Sequence, residues 1–274
     1  MLMKIKDSHI LYINLKEDTE KRKRIEHQLD SLKLNYTRVE AVRGSNLKNI
    51  AYRKKISKLL GVPMNKLSYN FWTDRKNFKT MCNSHNKILN KVGCYLSHML
   101  AMIIAKEKKL ESVVILEDDA DVQNNYHKNI TVPKNADMIY LGGSFFEKEE
   151  NIPKYSKKVI KVDTDTFKIA GTFGYIIPNS KTIQDIINVT KSVFLPGKGK
   201  DKHKDWRTGK IRLRAQAMDF MYINYFQKYG NCYLVNPVMI IHKELGSNIC
   251  NNRQKYKIRH FLFESQSKKV KSLF

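Results

Sequence analysis

Ser112 to Asp121 reads SVVILEDDAD. The first half, Ser112 to Leu116, is a short aliphatic run rich in β-branched residues, the pattern of a buried strand. The second half places Glu117, Asp118, Asp119 and Asp121, four carboxylates within five positions, just beyond the strand end. Carboxylates this close repel one another. In open α/β sheets, ligands bind beyond the carboxyl ends of strands. Hard divalent cations such as Mn²⁺ or Mg²⁺ take oxygen ligands, often one or two carboxylates plus substrate phosphates. Such an ion relieves the repulsion, bridges to a diphosphate and stabilises charge on a departing nucleotide. The plainer reading is a solvated acidic turn that ends a strand. The strongly basic remainder of the chain weighs against it.

Outward from this segment, strand and helix patterns alternate. His9 to Leu15 reads as a buried strand. Asp18 to Leu32 follows as an amphipathic helix with Ile25, Leu29 and Leu32 at helical spacing, and Tyr36 to Val42 as a second strand. Strand, helix, strand opens an α/β domain. Val92 to Lys109 reads as a helix. Asp137 to Leu141 and Thr172 to Ile177 read as strands, the latter stopped by Pro178. Ser180 reads as the N-cap of a helix through Lys191. A helix carrying Met218, Met221, Tyr222 and Tyr225 precedes a last strand from Cys232 to Val235. The expected organisation is one domain over residues 1–252 and a basic tail over 253–274. Residues 44–92 are expected to form an insertion, an acceptor-binding region or a lid. Residues 196–214 hold the run GKGKDKHKDWRTGKIRLR and read as a mobile basic loop, either a solvated charge run or a phosphate or acceptor clamp.

The 274 residues and 42% hydrophobic content suit a globular fold with a substantial core. The net charge of +25 favours polyanionic partners: nucleic acid, an anionic membrane surface or phosphorylated small molecules. An AT-rich genome would give the same excess of Lys, Asn and Ile. No helix-turn-helix, RNP or zinc-finger signature supports a specific nucleic-acid partner. Neither a GxxxxGK[ST] nor a GxGxxG loop is present. Cys82, Cys94, Cys232 and Cys250 form no CxxC pair and read as mostly reduced thiols. The first residues lack the features of a signal peptide, and no run approaches the roughly 20 apolar residues of a membrane span. The cytoplasm is the default expectation. Oligomeric state is open, a homo-oligomer included.

Several segments carry a family resemblance. Tyr12-Ile13-Asn14-Leu15 precedes the basic run Glu20 to Arg24. Gly93-Cys94-Tyr95-Leu96-Ser97-His98 matches a "GCxLSH" helix, and Ile115 to Asp119 an "LEDD" signature. Looser matches are Asp137 to Gly142, Tyr175 to Ile177, Met218-Asp219, and His242 with Ser247-Asn248-Ile249. In this order and spacing the chain resembles glycosyltransferase family 25, which includes collagen and lipooligosaccharide galactosyltransferases. It departs from the pattern at Lys21, where arginine is common, and at Asn248, where Asp is common. Asn46 to Lys91 has no clear counterpart.

The resemblance implies a GT-A-like α/β domain with a mixed, mostly parallel sheet flanked by helices. It implies a UDP-sugar donor, galactose or glucose, an inverting transfer to a hydroxyl on a protein or glycan, and Mn²⁺ or Mg²⁺. Asp119, Asp121 and His242 are then the metal ligands. Asn14, Arg22, Arg24, Ser97, His98, Glu117 and Asp118 line the donor site, Asp118 as an alternative ligand or a ribose contact. Asp219 is the general base, with Asp137 and Asp205 as alternatives. Plainer readings stand beside these: arginines of a charged first helical turn, a satisfied core His98, an Asp219 favoured by the helix dipole, a strand-end His242. A competing function is a basic nucleic-acid- or phospholipid-binding protein on a degenerate transferase fold. A metal-dependent phosphodiesterase or nuclease would want more His and carboxylate ligands than this chain offers.

Overall fold

The computed structural model describes residues 2–3, 5–74, 78–79, 85–123, 125–126, 129–146, 159–200 and 204–242. The principal elements are β1 (His9–Asn14), α1 (Thr19–Ser31), β2 (Tyr36–Glu40), α2 (Ile50–Leu60), α3 (His85–Glu107), β3 (Val113–Glu117), β4 (Ala120–Val122), β5 (Met138–Tyr140), β6 (Val159–Lys161), β7 (Gly174–Ile177), α4 (Ser180–Ser192), α5 (Met218–Met221), β8 (Cys232–Val235) and β9 (Ile240–His242). Helix α5 continues as a π-helix, Tyr222–Gln227.

Seven strands form one sheet in the order β6-β8-β5-β7-β3-β1-β2. The pairs β1–β2, β1–β3 and β5–β8 are parallel; β3–β7, β7–β5 and β6–β8 are antiparallel. Only β6 and β7 therefore run against the other five strands. The mixed, mostly parallel α/β sheet expected from the sequence is present.

The apolar runs are continuous because both faces of the sheet are covered. Leu11, Ile13, Val113, Ile115, Tyr140 and Tyr175 face the core built with α3 and α4. Ile10, Tyr12, Val114, Leu116, Ile139 and Ile176, the alternate residues, face a second core with Ile25 and Leu29 of α1. Successive strand side chains point to opposite faces, so a doubly covered strand loses its polar alternation. Helix α3 is long and apolar enough over Lys87–Glu107 to cross a membrane, which corrects the expectation that no run approaches such a span. Here it is the central core helix, with Val92, Tyr95, Leu96, Met99 and Met102 buried.

Helix α3 lies so close to the end of β2 that glycine is required at the contact. A Cβ on Gly93 would fall 2.5 Å from the Val42 carbonyl oxygen, and one on Gly44 2.0 Å from that of Leu89. At this crossing Ser97 Oγ accepts from the Val42 amide at 2.8 Å and donates to the Gly93 carbonyl at 2.7 Å.

Several boundaries differ from expectation. Helix α3 begins at His85, seven residues before Val92, because the earlier turns carry the polar residues Asn86, Lys87 and Asn90 that mask the apolar stripe. The cap of α4 is Asn179, whose side chain accepts from the Thr182 amide at 2.8 Å; Ser180 is the first helical residue. Of residues 44–92, the described part from Gly44 to Thr73 forms short 3-10 turns and helices that bury Leu47, Ile56, Leu60, Leu67 and Trp72 in the α3 core. None of it joins the central sheet.

Within 196–214, residues 201–203 lie outside the described set, and the rest is anchored. Trp206 and Leu213 are buried, and Arg207 bonds both oxygens of Asp137 at 2.8 and 2.6 Å and Asp185 at 3.0 Å. The tail 253–274 and Ser247-Asn248-Ile249 lie outside the described residues, as do Cys82 and Cys250. Cys94 and Cys232 are free thiols.

Candidate active site

The chain leaves β1 toward β2 on one side, while β3 lies on the other side of β1. A crevice therefore opens between the carboxyl ends of β1 and β3, the usual ligand position in such a sheet. Asn14, the last residue of β1, spans it. Its Nδ2 donates to Asp118 Oδ2 at 2.7 Å and to the Asp18 carbonyl at 3.0 Å, and its Oδ1 accepts from Arg38 Nε at 3.0 Å. Lys21 Nζ stands 3.9 Å from Asp118 Oδ1. Burial nevertheless pushes the Asp118 carboxyl up to about 6, with Asp119 and Glu117 adding to it and Asn14 and Lys21 opposing.

Arg24 shapes the acidic turn from the α1 side. Its guanidinium donates to the carbonyls of Asp118 and Ala120, both at 2.8 Å, and reaches Asp121 Oδ1 at 3.4 Å. Arg22 stays at the surface of α1 and pairs with Glu26 at 3.0 Å.

Beyond the turn, β4 pairs antiparallel with β9, setting His242 opposite Ala120 and Ile241 opposite Asp121. Cross-strand partners share a face and neighbours alternate, so His242 and Asp121 point to opposite sides of this ribbon. His242 Nε2 meets Asp119 Oδ2 at 2.8 Å. The other oxygen, Asp119 Oδ1, is buried with no hydrogen-bond partner among the described residues. Asp121 instead faces Arg24 and Gln123, whose Nε2 donates to Asp121 Oδ2 at 3.3 Å. Gly142 makes the approach of β9 feasible: a Cβ there would lie 1.9 Å from the Ile240 carbonyl oxygen.

Glu117 ends β3. Its Oε1 accepts a hydrogen bond from the Thr172 hydroxyl and lies 3.3 Å from His98 Nε2. Burial raises the Glu117 carboxyl, but the His98 bond and charge, with Thr172, outweigh it and hold the group below the usual carboxylate range. His98 is fully buried, its Nδ1 2.8 Å from the Tyr175 hydroxyl. Asp219, half-buried at the start of α5, accepts from the Phe220 amide at 2.9 Å. Burial first, then the charges of Glu117 and Asp219, push the Cys94 thiol up.

The structure thus brings together Asn14 with Asp118, Arg24 with the turn, Asp119 with His242, and His98 with Glu117. Ser97 sits behind them in the helix crossing, and Arg22 outside. Asp137, an alternative base, precedes β5 at the opposite end of the sheet and is taken up by Arg207. Asp205 caps the 3-10 turn Trp206–Thr208.

Residues 7–197 match the model of glycosyltransferase family 25, described as an LPS biosynthesis protein. The chain belongs to glycosyltransferase family 25. A "Glycosyltransferase 25 family member" from Drosophila melanogaster is 27% identical over 185 residues, 64% of this chain. The chain spans about a quarter of that relative, 27% of its length. A solved glycosyltransferase involved in glycosylation of the major capsid of PBCV-1 aligns over 88% of this chain and 94% of its own at 10% identity, with a TM-score of 0.41.

The family 25 segments fall on the crevice. Asn14 ends the first strand, Cys94, Ser97 and His98 lie along α3, and the acidic signature closes β3. Sequence reasoning did not single out Thr172 or Arg38, which had no motif around them; Tyr175 entered only with the looser match Tyr175 to Ile177, without a role.

Proposed function

We propose that this protein is a metal-dependent glycosyltransferase that moves a hexose, galactose or glucose, from a UDP-sugar to a hydroxyl of a protein or glycan with inversion. The observation that carries the metal dependence is Asp119: one oxygen meets His242 at 2.8 Å, while the other is buried without a partner among the described residues. A buried carboxylate oxygen left unsatisfied is costly unless a ligand completes it. A carboxylate with an imidazole suits Mn²⁺. Asp119 and His242 would hold the ion, which when bound neutralises the donor diphosphate and the departing nucleotide.

The remaining roles belong to the chain itself. Arg24 fixes the carbonyls of the acidic turn and thereby the direction of Asp119, with Asp121 as its electrostatic counterpart. Asn14 and Asp118 offer the nucleoside a hydrogen-bonding edge between β1 and β3. Asp219 accepts the proton of the acceptor hydroxyl as that oxygen attacks the anomeric carbon from the face opposite the nucleotide. The family membership and the crevice position support this reading.

A panel of nucleotide sugars with Mn²⁺, read as released nucleoside diphosphate, tests it. Turnover with UDP-galactose or UDP-glucose, abolished by excess chelator, is the expected result. Full turnover in chelator would overturn the metal role. Salt-sensitive binding of any polyanion without nucleotide preference would favour the binding-protein alternative.

A further inference from the structure

Among the described residues, one ligand-bearing cluster shares His98 and Glu117 with the expected donor site but has no part in the Asp119–His242 pair. Cys94 and His98 stand four residues apart on α3, so their side chains share a face. Glu117 reaches them from the end of β3. Cys94 Sγ, an imidazole nitrogen and a Glu117 oxygen all lie within 4.8 Å of one another.

The edge between the imidazole and the carboxylate has the length a four-coordinate ion needs. Zinc bonds to nitrogen and oxygen of about 2.0–2.2 Å give a tetrahedral edge of roughly 3.3–3.6 Å. The separation of His98 Nε2 from Glu117 Oε1 is 3.3 Å. The imidazole is also oriented from behind. Its Nδ1 is tied to the Tyr175 hydroxyl at 2.8 Å, which in turn meets the Tyr222 hydroxyl at 2.9 Å. Metal-binding histidines are held this way, with the rear nitrogen engaged and the front nitrogen free to ligate. The Thr172 hydroxyl donates to that same Glu117 Oε1 and so fixes the carboxylate beside the imidazole.

Ligand chemistry selects the ion. A thiolate beside an imidazole and a carboxylate suits zinc-class ions, whereas Mn²⁺ and Mg²⁺ prefer oxygen. We propose that Cys94, His98 and Glu117 form a second divalent-metal site, selective for zinc-class ions and separate from the Asp119–His242 pair. Three protein ligands leave a fourth position for water or another donor, the open pattern and not the closed structural one. On binding, the Cys94 S–H bond breaks and its proton passes to solvent as the metal–sulfur bond forms. The His98–Glu117 hydrogen bond gives way to two bonds to the ion.

The test uses the full chain, reduced and stripped of metal, titrated with Co²⁺ as a coloured zinc substitute. The expected result is one equivalent bound with thiolate-to-cobalt charge-transfer absorption. Zn²⁺ displaces it and equimolar Mn²⁺ does not. Cys94→Ser should remove the band and weaken Zn²⁺ binding at least about tenfold. In the unmutated chain, Zn²⁺ should also protect Cys94, read by peptide mass, from alkylation, which keeps the test independent of how the variant folds. Absence of the band, an equal band in Cys94→Ser, or unchanged Cys94 alkylation with saturating Zn²⁺ would overturn the proposal.

Discussion

His242 Nε2 lies 2.8 Å from Asp119 Oδ2, a contact between residues 123 positions apart. It joins the turn after β3 to the last described residue of the chain, and it exists because β9 pairs with β4. Removing the imidazole should weaken Mn²⁺ binding without unfolding the domain. His242→Ala is expected to cost about tenfold or more in Mn²⁺ affinity, measured by titration of the metal followed by electron paramagnetic resonance. An unchanged affinity would take His242 out of the site.

The two aspartates flanking Ala120 should separate in the same assay. Asp119→Asn removes the carboxylate that meets His242 and is expected to abolish measurable Mn²⁺ binding. Asp121→Asn perturbs the Arg24 contact and should weaken binding only several-fold, as loss of an orienting partner does. Equal losses in the two variants would mean that Asp121 ligates the ion directly.

Asp219 is the base in this account. Asp219→Asn keeps the shape of the side chain but cannot take a proton, so transfer should fall by about 10²–10⁴-fold. UDP and Mn²⁺ binding, followed by calorimetry, should stay near normal, because the base faces the acceptor. Near-normal transfer would move the base elsewhere. Asp137 is a poor substitute, since Arg207 and the Asn231 amide occupy its oxygens.

That Asp137–Arg207 pair makes a separate prediction about stability. Burial raises the Asp137 carboxyl, but Arg207, the Asn231 amide and Thr182 outweigh it and hold the group below its ordinary value. A carboxyl depressed in the folded state stabilises above its unfolded value, about 3.9. That contribution is lost as pH falls through the folded value. Arg207→Ala leaves Asp137 and Asp185 without their partner and should cost about 3 kcal/mol at neutral pH. Its stability deficit should shrink below about pH 4, measured by urea melts across pH. A deficit independent of pH would assign the loss to packing of Arg207 over Trp206, 4.5 Å from the ring centroid.

The central strands β1, β3, β5 and β7 were legible because they are covered on both faces and so read as unbroken apolar runs; the edge strand β6, three residues long with one buried, was not. SVVIL and its acidic cap located the crevice edge for the same reason. Residues 44–74 resisted reading because, apart from α2, they fold as turns and helices of four or five residues, too short to show a period, and α2 itself buries only Ile56, Ser57 and Leu60. The GCxLSH segment could be recognised only by resemblance; its logic is tertiary. Gly93 admits Val42, Ser97 ties that crossing, and His98 grips Glu117 across 19 residues. The separation of Asp119 from Asp121 depends on a strand pairing that local sequence does not encode.

Gly93 gives the fold-level test of that logic. Gly93→Ala puts a methyl 2.5 Å from a backbone oxygen that cannot swing away. Overpacking of this kind should cost about 2–3 kcal/mol, read as a lower thermal midpoint. A midpoint equal to that of the unmutated chain would show that α3 can shift away from Val42.

The central claim is that a divalent ion at Asp119 and His242 joins the nucleotide to the carboxyl ends of β1 and β3. Calorimetric titration of UDP into the full chain, with Mn²⁺ and then with excess chelator, tests it most directly. The account predicts saturable binding with Mn²⁺, and loss of that binding both in chelator and in Asp119→Asn. UDP binding of equal strength in chelator, or undiminished in Asp119→Asn, would contradict it.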